Sequence, residues 1–264
     1  MQDLYWFLAG KIGFRLSGFR RRSLPEALQT LRELGYDGVE LCLEHSDLDP
    51  DAPGRCDFPT LRRILEESGL QAAAVSFHGK RAGWQEKQRK GLAGLELARD
   101  LGVRTFISGS LAGEGEEAFA AMCRFTTRMC RYAEEFGVDF AVEPEPGTVI
   151  AGTREMEMLI QVVGSPRLKV NLDVGHAHIT EPDLGRDIVR WGERIVHTHI
   201  EDIRGREHRH RIPGEGDLDF AALLAAFQAI HYSGFFTLDL FDIEDQPEYY
   251  ARIAREALIG RIER

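Results

Sequence analysis

The 264-residue sequence lacks the features that mark membrane proteins and disulfide-stabilised proteins. No apolar run approaches the ~20 residues that a spanning helix requires. The apolar stretch LYWFLAG is short and has no basic leader, so we do not expect a signal peptide. The four cysteines form no CxxC pair, and we expect reduced thiols in a cytoplasmic protein.

The sequence also lacks an excess of basic residues. Its 33 Lys and Arg are outnumbered by 43 Asp and Glu, which gives a formal net charge of −10. Because nucleic-acid affinity depends largely on cations that neutralise phosphates, this charge disfavours a nucleic-acid partner. One local basic segment, IRGREHRHR, keeps that alternative open. Linkers, low-complexity segments and shifts of composition are absent too, so residues 1–264 are predicted to form one domain.

What the sequence does contain is a repeated order of helix, glycine and strand. The segments are RELGYDGVEL, EESGLQAAAVSF, ARDLGVRTFISG, EEFGVDFAVE, VVGSPRLKVNLD and HYSGFFTLDLF. In each, the glycine fits the left-handed residue that ends a helix, and the residues after it fit a buried strand. Helix starts agree, because Ser23 to Glu26 reads as a capping box and Asp57 as an N-cap.

Eight strands follow from this pattern. They are predicted near Lys11–Leu16, Gly38–Leu43, Ala72–Phe77, Val103–Ser108, Asp139–Glu143, Leu168–Asp173, Ile195–Ile200 and Phe235–Leu240. Strict alternation of strand and helix implies a parallel sheet, and eight units imply closure into a single (β/α)8 TIM barrel. A doubly wound open sheet is the alternative.

Four acidic or histidine residues, Glu143, Asp173, His199 and Asp239, each end a different predicted strand. The active site of such a barrel lies at the carboxyl ends of its strands, so the four are expected at one face. Carboxylates with one imidazole suit Mn²⁺, Zn²⁺, Mg²⁺ or Co²⁺. Any one of them alone would be read as a polar residue capping a strand, but four on consecutive strands favour a divalent-metal site.

More histidines follow these strand ends. His176 comes just after the sixth strand, and His208 and His210 lie in the long connection after the seventh, residues 201–217, which we interpret as an active-site loop. These three could bind a second metal or contact a substrate, and solvent exposure in a charged loop is the alternative for His208 and His210. His197 is predicted to point away from the barrel lumen.

At these residues the sequence resembles the xylose isomerase-like TIM barrel superfamily over nearly its whole length. That superfamily includes sugar isomerases and epimerases and the endonuclease IV-type AP endonucleases. The matching segments are YDGVEL, FAVEP, LDVGH, HIED and HRIPGEGDLDF, together with the acidic residue on the eighth strand. Together they are specific for the superfamily but not for one reaction.

The resemblance to the epimerases implies residue roles. Glu143, Asp173, His199 and Asp239 would hold one divalent cation, and Glu143 and Asp239 would also move the proton. His176 would contact the substrate, and the arginine that follows the seventh strand would be Arg209 or Arg211. The sequence departs from the epimerases at Asp239, which is one methylene shorter than their usual Glu.

The resemblance to endonuclease IV implies a different set. His78 would supply a ligand on the third strand, His176 one after the sixth, and His208 with His210 a pair in the long loop. Ser108 stands where that family has a further histidine on the fourth strand, so one or two metals fit better than three.

These observations predict a divalent-metal-dependent isomerase or epimerase of a sugar, sugar phosphate or polyol. The metal would assist proton transfer through an enediolate. The alternatives are an endonuclease IV-like phosphodiesterase or hydrolase, a lyase or dehydratase on the same barrel, and a non-catalytic metal-binding protein. The expected partner is a small hydroxylated substrate of carbohydrate metabolism, and association into a homo-oligomer is typical of such barrels.

Overall fold

The computed structural model describes residues 12–80 and 82–262, and its eight strands form a closed parallel barrel. Neighbouring strands follow chain order, and the last strand pairs in parallel with the first. The strands are Ile12–Arg15 (β1), Gly38–Cys42 (β2), Gln71–Phe77 (β3), Thr105–Gly109 (β4), Asp139–Glu143 (β5), Leu168–Asp173 (β6), Ile195–Ile200 (β7) and Phe236–Leu238 (β8). The predicted (β/α)8 TIM barrel is therefore confirmed. Lys11, predicted to begin β1, lies outside the described residues.

The described part of the chain contains nine α-helices around the barrel. They are Leu24–Glu33 (α1), Phe58–Ser68 (α2), Trp84–Leu101 (α3), Gly115–Phe136 (α4), Thr153–Val163 (α5), Val174–Thr180 (α6), Leu184–Trp191 (α7), Phe220–Ala229 (α8) and Pro247–Ile262 (α9). Short 3-10 helices span Leu16–Phe19 and Gly192–Arg194. Among the helices of residues 12–80 and 82–262, none is both long and apolar enough to cross a membrane.

Helix boundaries follow the local signals of the sequence. Among the described residues, four helices have a predicted glycine in the left-handed region as their C-cap, Gly69, Gly102, Gly137 and Gly164, and the predicted Gly35 has φ 83° directly after the C-cap of α1. The prediction is wrong after α8, where His231 instead of Gly234 adopts the positive φ, 53°. The capping box at Ser23 is present, because its backbone amide donates to the Glu26 carboxylate at 3.0 Å.

Side chains that alternate along the strands divide the interior into two compartments. Phe106 on β4 and Phe140 on β5 stack with their centroids 6.1 Å apart, and Phe125 of α4 packs edge-on against Phe140. This apolar layer joins the barrel to its helices. Ile107 and Ala141, the residues that follow Phe106 and Phe140, instead pack in a separate small cluster. On these two strands, the bulky apolar side chains thus pack between the barrel and its helices, not inside the barrel.

The long connection after β7 is ordered by the buried carboxylate of Asp202. Asp202 and Arg211 pair as an isolated antiparallel bridge with both hydrogen bonds at 2.8 Å. The Asp202 carboxylate also accepts from the backbone amides of Ile203, Gly214 and Leu218 at 2.7 to 3.1 Å. Because these contacts fold the connection back on itself, residues 208–210 lie over the carboxyl ends of the strands.

Candidate active site

Three of the four predicted metal ligands converge at the carboxyl face of the barrel. Glu143 and Asp173 are the last residues of β5 and β6, and His199 lies one residue before the end of β7. His199 Nδ1 lies 3.0 Å from Glu143 Oε2 and 3.8 Å from Asp173 Oδ2. One potential ligand atom of each residue lies within 4.8 Å of the other two, and all three side chains are buried. This spacing is compatible with a shared cation.

The fourth predicted ligand, Asp239, borders this cluster and has other partners. Its Oδ2 accepts a hydrogen bond from Arg15 Nη1 at 2.9 Å, and its Oδ1 accepts one from Ser17 Oγ at 3.3 Å. Asp239 Oδ2 also lies 3.7 Å from His199 Nδ1. Within residues 12–80 and 82–262, no group of three closely spaced metal-binding atoms includes Asp239.

His199 is held by a carboxylate that sequence reasoning missed. Its Nε2 lies 2.7 Å from Oε2 of Glu40, a fully buried residue of β2. Although burial alone would lower it, Glu40 and Glu143 hold the pKa of His199 well above its usual value. The signal in the sequence was the acid in the segment YDGVEL, where an apolar residue would be expected in a buried strand.

The expectation that His197 points away from the lumen is wrong. Residues two apart on a strand face the same side, so His197 and His199 both project inward. His197 is buried, and its Nε2 lies 3.2 Å from the Glu40 carboxylate. Burial lowers the pKa of His197, so this imidazole is neutral beneath the cluster.

His78 follows β3 and contacts the same carboxylate oxygen of Glu143 as His199 does. Its Nε2 lies 2.9 Å from Glu143 Oε2, and its Nδ1 lies 2.5 Å from Nη2 of Arg15. Because a guanidinium can only donate, Nδ1 must accept and Nε2 carries the proton. His78 therefore donates to Glu143. Burial would raise the pKa of Glu143, but His78 and His199 hold it well below its usual value.

The three predicted loop and strand-end histidines also meet. The Nε2 atoms of His176 and His208 lie 2.8 Å apart, and one ligand atom each of His176, His208 and His210 lies within 4.8 Å of the other two. His210 Nδ1 donates to the backbone carbonyl of Asp239 at 2.8 Å. Its Nε2 is buried, has no hydrogen-bond partner among the described residues and lies 3.8 Å from Asp173 Oδ2.

The two candidate arginines do not join this cluster. Arg209 is exposed, and the half-buried Arg211 donates from Nη2 to Glu207 at 2.8 Å. In the described part of the chain, no hydrogen bond or ion pair links either residue to the strand-end carboxylates. The arginine that does contact them is Arg15 at the end of β1, which had no signal beyond its place after an apolar strand.

A further buried acid, Glu201, lies just beyond β7. Its Oε1 accepts from the Gly175 backbone amide at 2.5 Å, and its Oε2 has no hydrogen-bond partner among the described residues. Burial and the charge of Asp173 raise the pKa of Glu201 well above its usual value. Glu201 therefore supports the cluster through its contact with the backbone of the segment that follows β6. It belongs to the segment HIED.

The electrostatics of the lumen fit a divalent cation. Among the described residues, five buried carboxyl groups border it, those of Glu40, Glu143, Asp173, Glu201 and Asp239, and the guanidinium of Arg15 pairs with two of them, Glu40 and Asp239. Asp173 Oδ2 is buried without a hydrogen bond from any described residue. An unpaired buried carboxylate oxygen is costly unless a cation or proton compensates it. Oxygen and imidazole donors of this kind suit Mn²⁺, Mg²⁺, Zn²⁺ or Co²⁺.

The family model for the xylose isomerase-like TIM barrel matches residues 28–259. The chain belongs to this family. The match includes every strand-end residue of the cluster except Arg15, so the predicted resemblance is confirmed.

Proteins that are similar to this chain have several activities. Fructoselysine 3-epimerase of Escherichia coli O157:H7 is 26% identical over 93% of this chain and 96% of its own length. An inosose dehydratase of Clostridium beijerinckii is 20% identical over 83% of each chain. A crystal structure of IolI protein with a bound zinc atom superimposes with a TM-score of 0.80 over 96% of this chain and 98% of its own, at 19% identity. At that identity, the structural likeness establishes the fold.

Proposed function

We propose that this protein is a divalent-metal-dependent epimerase or isomerase of a small hydroxylated ketone, such as a ketose or its derivative. The observation that carries the proposal is the unpartnered Asp173 Oδ2, buried 3.8 Å from His199 Nδ1 at the mouth of the barrel. Glu143, Asp173 and His199 would hold the cation beside Asp239. The similarity to a fructoselysine 3-epimerase supports the same class of substrate.

The cation would act as a Lewis acid that polarises the substrate carbonyl and makes the neighbouring C–H more acidic. Glu143 would remove that proton. Its Oε2 accepts hydrogen bonds from His78 and Asn171, whereas its Oε1 has His176 Nδ1 at 3.6 Å. Oε1 is therefore the freer oxygen. The lowered pKa of Glu143 keeps the carboxylate ionised and able to accept a proton.

Asp239 would exchange the proton on the other face of the substrate. β5 and β8 are three strands apart, so Glu143 and Asp239 reach the lumen from different directions. Epimerisation requires this arrangement, because one residue removes a proton from one face of the carbon and the other, in its protonated form, adds a different proton to the opposite face. Arg15 and Ser17 fix the Asp239 carboxylate, which compensates in part for its short side chain.

The mouth of the site offers both polar and apolar contacts to a substrate. The half-buried His208 has its pKa lowered to about 4 by burial and by His176 and His210, so it is neutral at physiological pH. A neutral imidazole can donate to or accept from a hydroxyl group. Phe241 stacks on His210 with centroids 3.7 Å apart and is 37% exposed, which supplies an apolar wall.

The proposal is tested by solvent exchange. The protein is stripped with a chelator, reloaded with Mn²⁺, and incubated in D₂O with ketoses and with fructoselysine. We expect deuterium to enter the carbon next to the carbonyl of at least one substrate, as seen by NMR. Glu143→Gln should slow this exchange at least 100-fold. Exchange that persists at full rate in the chelated protein would contradict the proposal.

A dehydratase is the second candidate, favoured by the similarity to an inosose dehydratase. Loss of water next to a ketone begins with the same proton removal, so one site can serve either reaction. The NMR experiment separates them, because elimination yields an alkene or enol product that epimerisation does not. A phosphodiesterase has less support, because Ser108 replaces a histidine and both nitrogens of His78 are already engaged.

A further inference from the structure

We propose that Asn171 is a positioning residue that directs the Glu143 carboxylate, so that Oε1 and not Oε2 meets the substrate. Asn171 is the only asparagine in the 264-residue sequence, and it is fully buried on β6. This role rests on the proposed function and deepens it. Asn171 acts through Glu143 and would not touch the reacting atoms itself.

The register of the barrel turns the Asn171 side chain toward the lumen. Residues two apart on a strand face the same side, so Asn171 shares the inward face of β6 with Asp173. Directly before Asn171 the pairing with β7 shifts by one residue, because Val170 lies opposite Ile195 whereas Asn171 lies opposite His197. Such irregularities redirect side chains and are common next to active sites. The amide of Asn171 thereby reaches the carboxylate at the end of the neighbouring strand β5.

The amide nitrogen of Asn171 contacts two residues of the proposed site. Nδ2 donates to Glu143 Oε2, and it lies 3.2 Å from His199 Nδ1. An ionised carboxylate can only accept, so the nitrogen and not the oxygen of the amide must face Glu143. An aspartate at this position would instead place another carboxylate against Oε2. The side chain that fits here is therefore a neutral donor.

The two carboxylate oxygens of Glu143 have different surroundings as a result. Oε2 accepts from Asn171 and from His78 Nε2 at 2.9 Å, whereas Oε1 has His176 Nδ1 at 3.6 Å, beyond hydrogen-bond distance. Donors that follow β3 and lie on β6 thus hold one oxygen and leave the other for the substrate. Loss of the Asn171 donor would let the carboxylate rotate, and misplacing a reacting atom by ~1 Å can slow a reaction on the order of 100-fold.

The first test observes the Asn171 amide directly, which is possible because the chain has a single asparagine. Full-length, chelator-stripped protein labelled with ¹⁵N-asparagine should give one pair of side-chain amide signals by NMR. We expect one proton of the pair at unusually low field, because it donates to a charged acceptor. In Glu143→Gln the acceptor is neutral, so this proton should move upfield. A pair at the ordinary amide position in wild type, or one that Glu143→Gln leaves unmoved, would overturn the inference.

Kinetics separate positioning from simple structural support. With the ketoses and fructoselysine of the exchange assay, and with Mn²⁺ at saturation, Asn171→Leu should lower kcat on the order of 10- to 100-fold and change KM by less than about threefold. Substrate deuterated next to the carbonyl should show a larger isotope effect on kcat in this variant, because proton removal has become slower. Thr198→Val is the matched control, since Thr198 Oγ1 donates to the Leu172 carbonyl of β6 at 2.6 Å and does not contact Glu143. Its kcat should stay within about threefold of wild type.

The outcomes distinguish the role of Asn171 from the proposed function. Wild type that exchanges no substrate proton would refute the proposed function and, with it, the role of Asn171. Active wild type combined with an unchanged kcat in Asn171→Leu, or with an equal loss in Thr198→Val, would refute the role of Asn171 alone. Should Asn171→Leu fail to fold, Asn171→Ser gives the same comparison with a smaller side chain, and the NMR test depends on neither variant.

Discussion

Glu40 Oε2 lies 2.7 Å from Nε2 of His199, a buried contact that links β2 to β7 across the lumen. The other nitrogen of the same ring faces Glu143 at 3.0 Å. A carboxylate behind a metal-binding histidine fixes the ring and its tautomer and makes the free nitrogen a better ligand. Glu40 thus orients the His199 ring for the metal site that we propose.

Glu40→Gln is expected to weaken Mn²⁺ binding about 10- to 100-fold and to destabilise the fold by about 3 kcal/mol. The loss follows because Arg15 and His199 would each lose a buried anionic partner. Calorimetric titration with Mn²⁺ and urea unfolding measure the two effects. Glu44→Gln is the matched control, since Glu44 accepts from the backbone amides of His78 and Gly79 and does not contact His199. Equal Mn²⁺ affinities of the Glu40 variant and wild type would show that Glu40 does not orient His199.

Lys87 is a buried lysine on α3 whose amine links the carboxyl ends of β3 and β4. Its Nζ donates to the carbonyls of His78, Gly109 and Ser110 at 2.6 to 3.0 Å. Lys87→Met would leave three carbonyls without this donor, so we expect a loss of about 3 kcal/mol in the free energy of unfolding. Urea denaturation at pH 7 measures it.

Lys90→Met is the control for Lys87, because both are buried lysines of the same helix. Lys90 pairs with Asp49, Asp51 and Glu86, whose side chains are 26 to 45% exposed and can be solvated when the amine is removed. We expect a loss of about 1 kcal/mol or less for this variant. If the Lys87 variant unfolds at the same urea concentration as the Lys90 variant, the three hydrogen bonds of Lys87 do not contribute the expected stability.

The strand ends were predictable because two local rules act there. Helix-ending glycines such as Gly102 and Gly137 mark where each strand begins, and the acid at the end of an apolar run marks where it meets the lumen. The barrel closure and the meeting of Glu143 with Asp173 and His199 follow from those rules.

Partners across the lumen were not predictable in the same way. Arg15 and Asp239 are 224 positions apart, and only closure of the barrel between β1 and β8 brings them together. Glu40 meets His199 over 159 positions for a similar reason. No local pattern encodes such contacts, so the sequence revealed the acids and the histidine at the strand ends but not Arg15 and Glu40, which face the same site.

The four cysteines should differ in reactivity in the folded protein. Burial raises the pKa values of Cys42 and Cys130 to about 12, whereas Cys56 is half-buried and has a smaller shift upward. Since the thiolate is the reactive form, we expect iodoacetamide at pH 8 to modify Cys56 well before Cys42 or Cys130. Mass spectrometry of peptides measures the rates, with urea-unfolded protein as the reference in which all four react alike. Rapid native modification of Cys42 would contradict its burial beside Glu40.

His208 is expected to make stability depend on pH. Its pKa falls from 6.5 to about 4 on folding, so between those values the unfolded chain binds more protons than the folded one. Stability should therefore fall as pH drops from 6.5 toward 4 and level off below that range. The ring is only half-buried, so its contribution to the free energy of unfolding is about 1 kcal/mol after screening.

The experiment compares the pH dependence of unfolding in chelator-treated variants. His208→Asn should flatten the slope between pH 6.5 and 4, whereas His231→Asn controls for the loss of an exposed histidine. Identical slopes for His208→Asn and wild type would show that His208 takes up a proton as readily in the folded protein as in the unfolded chain.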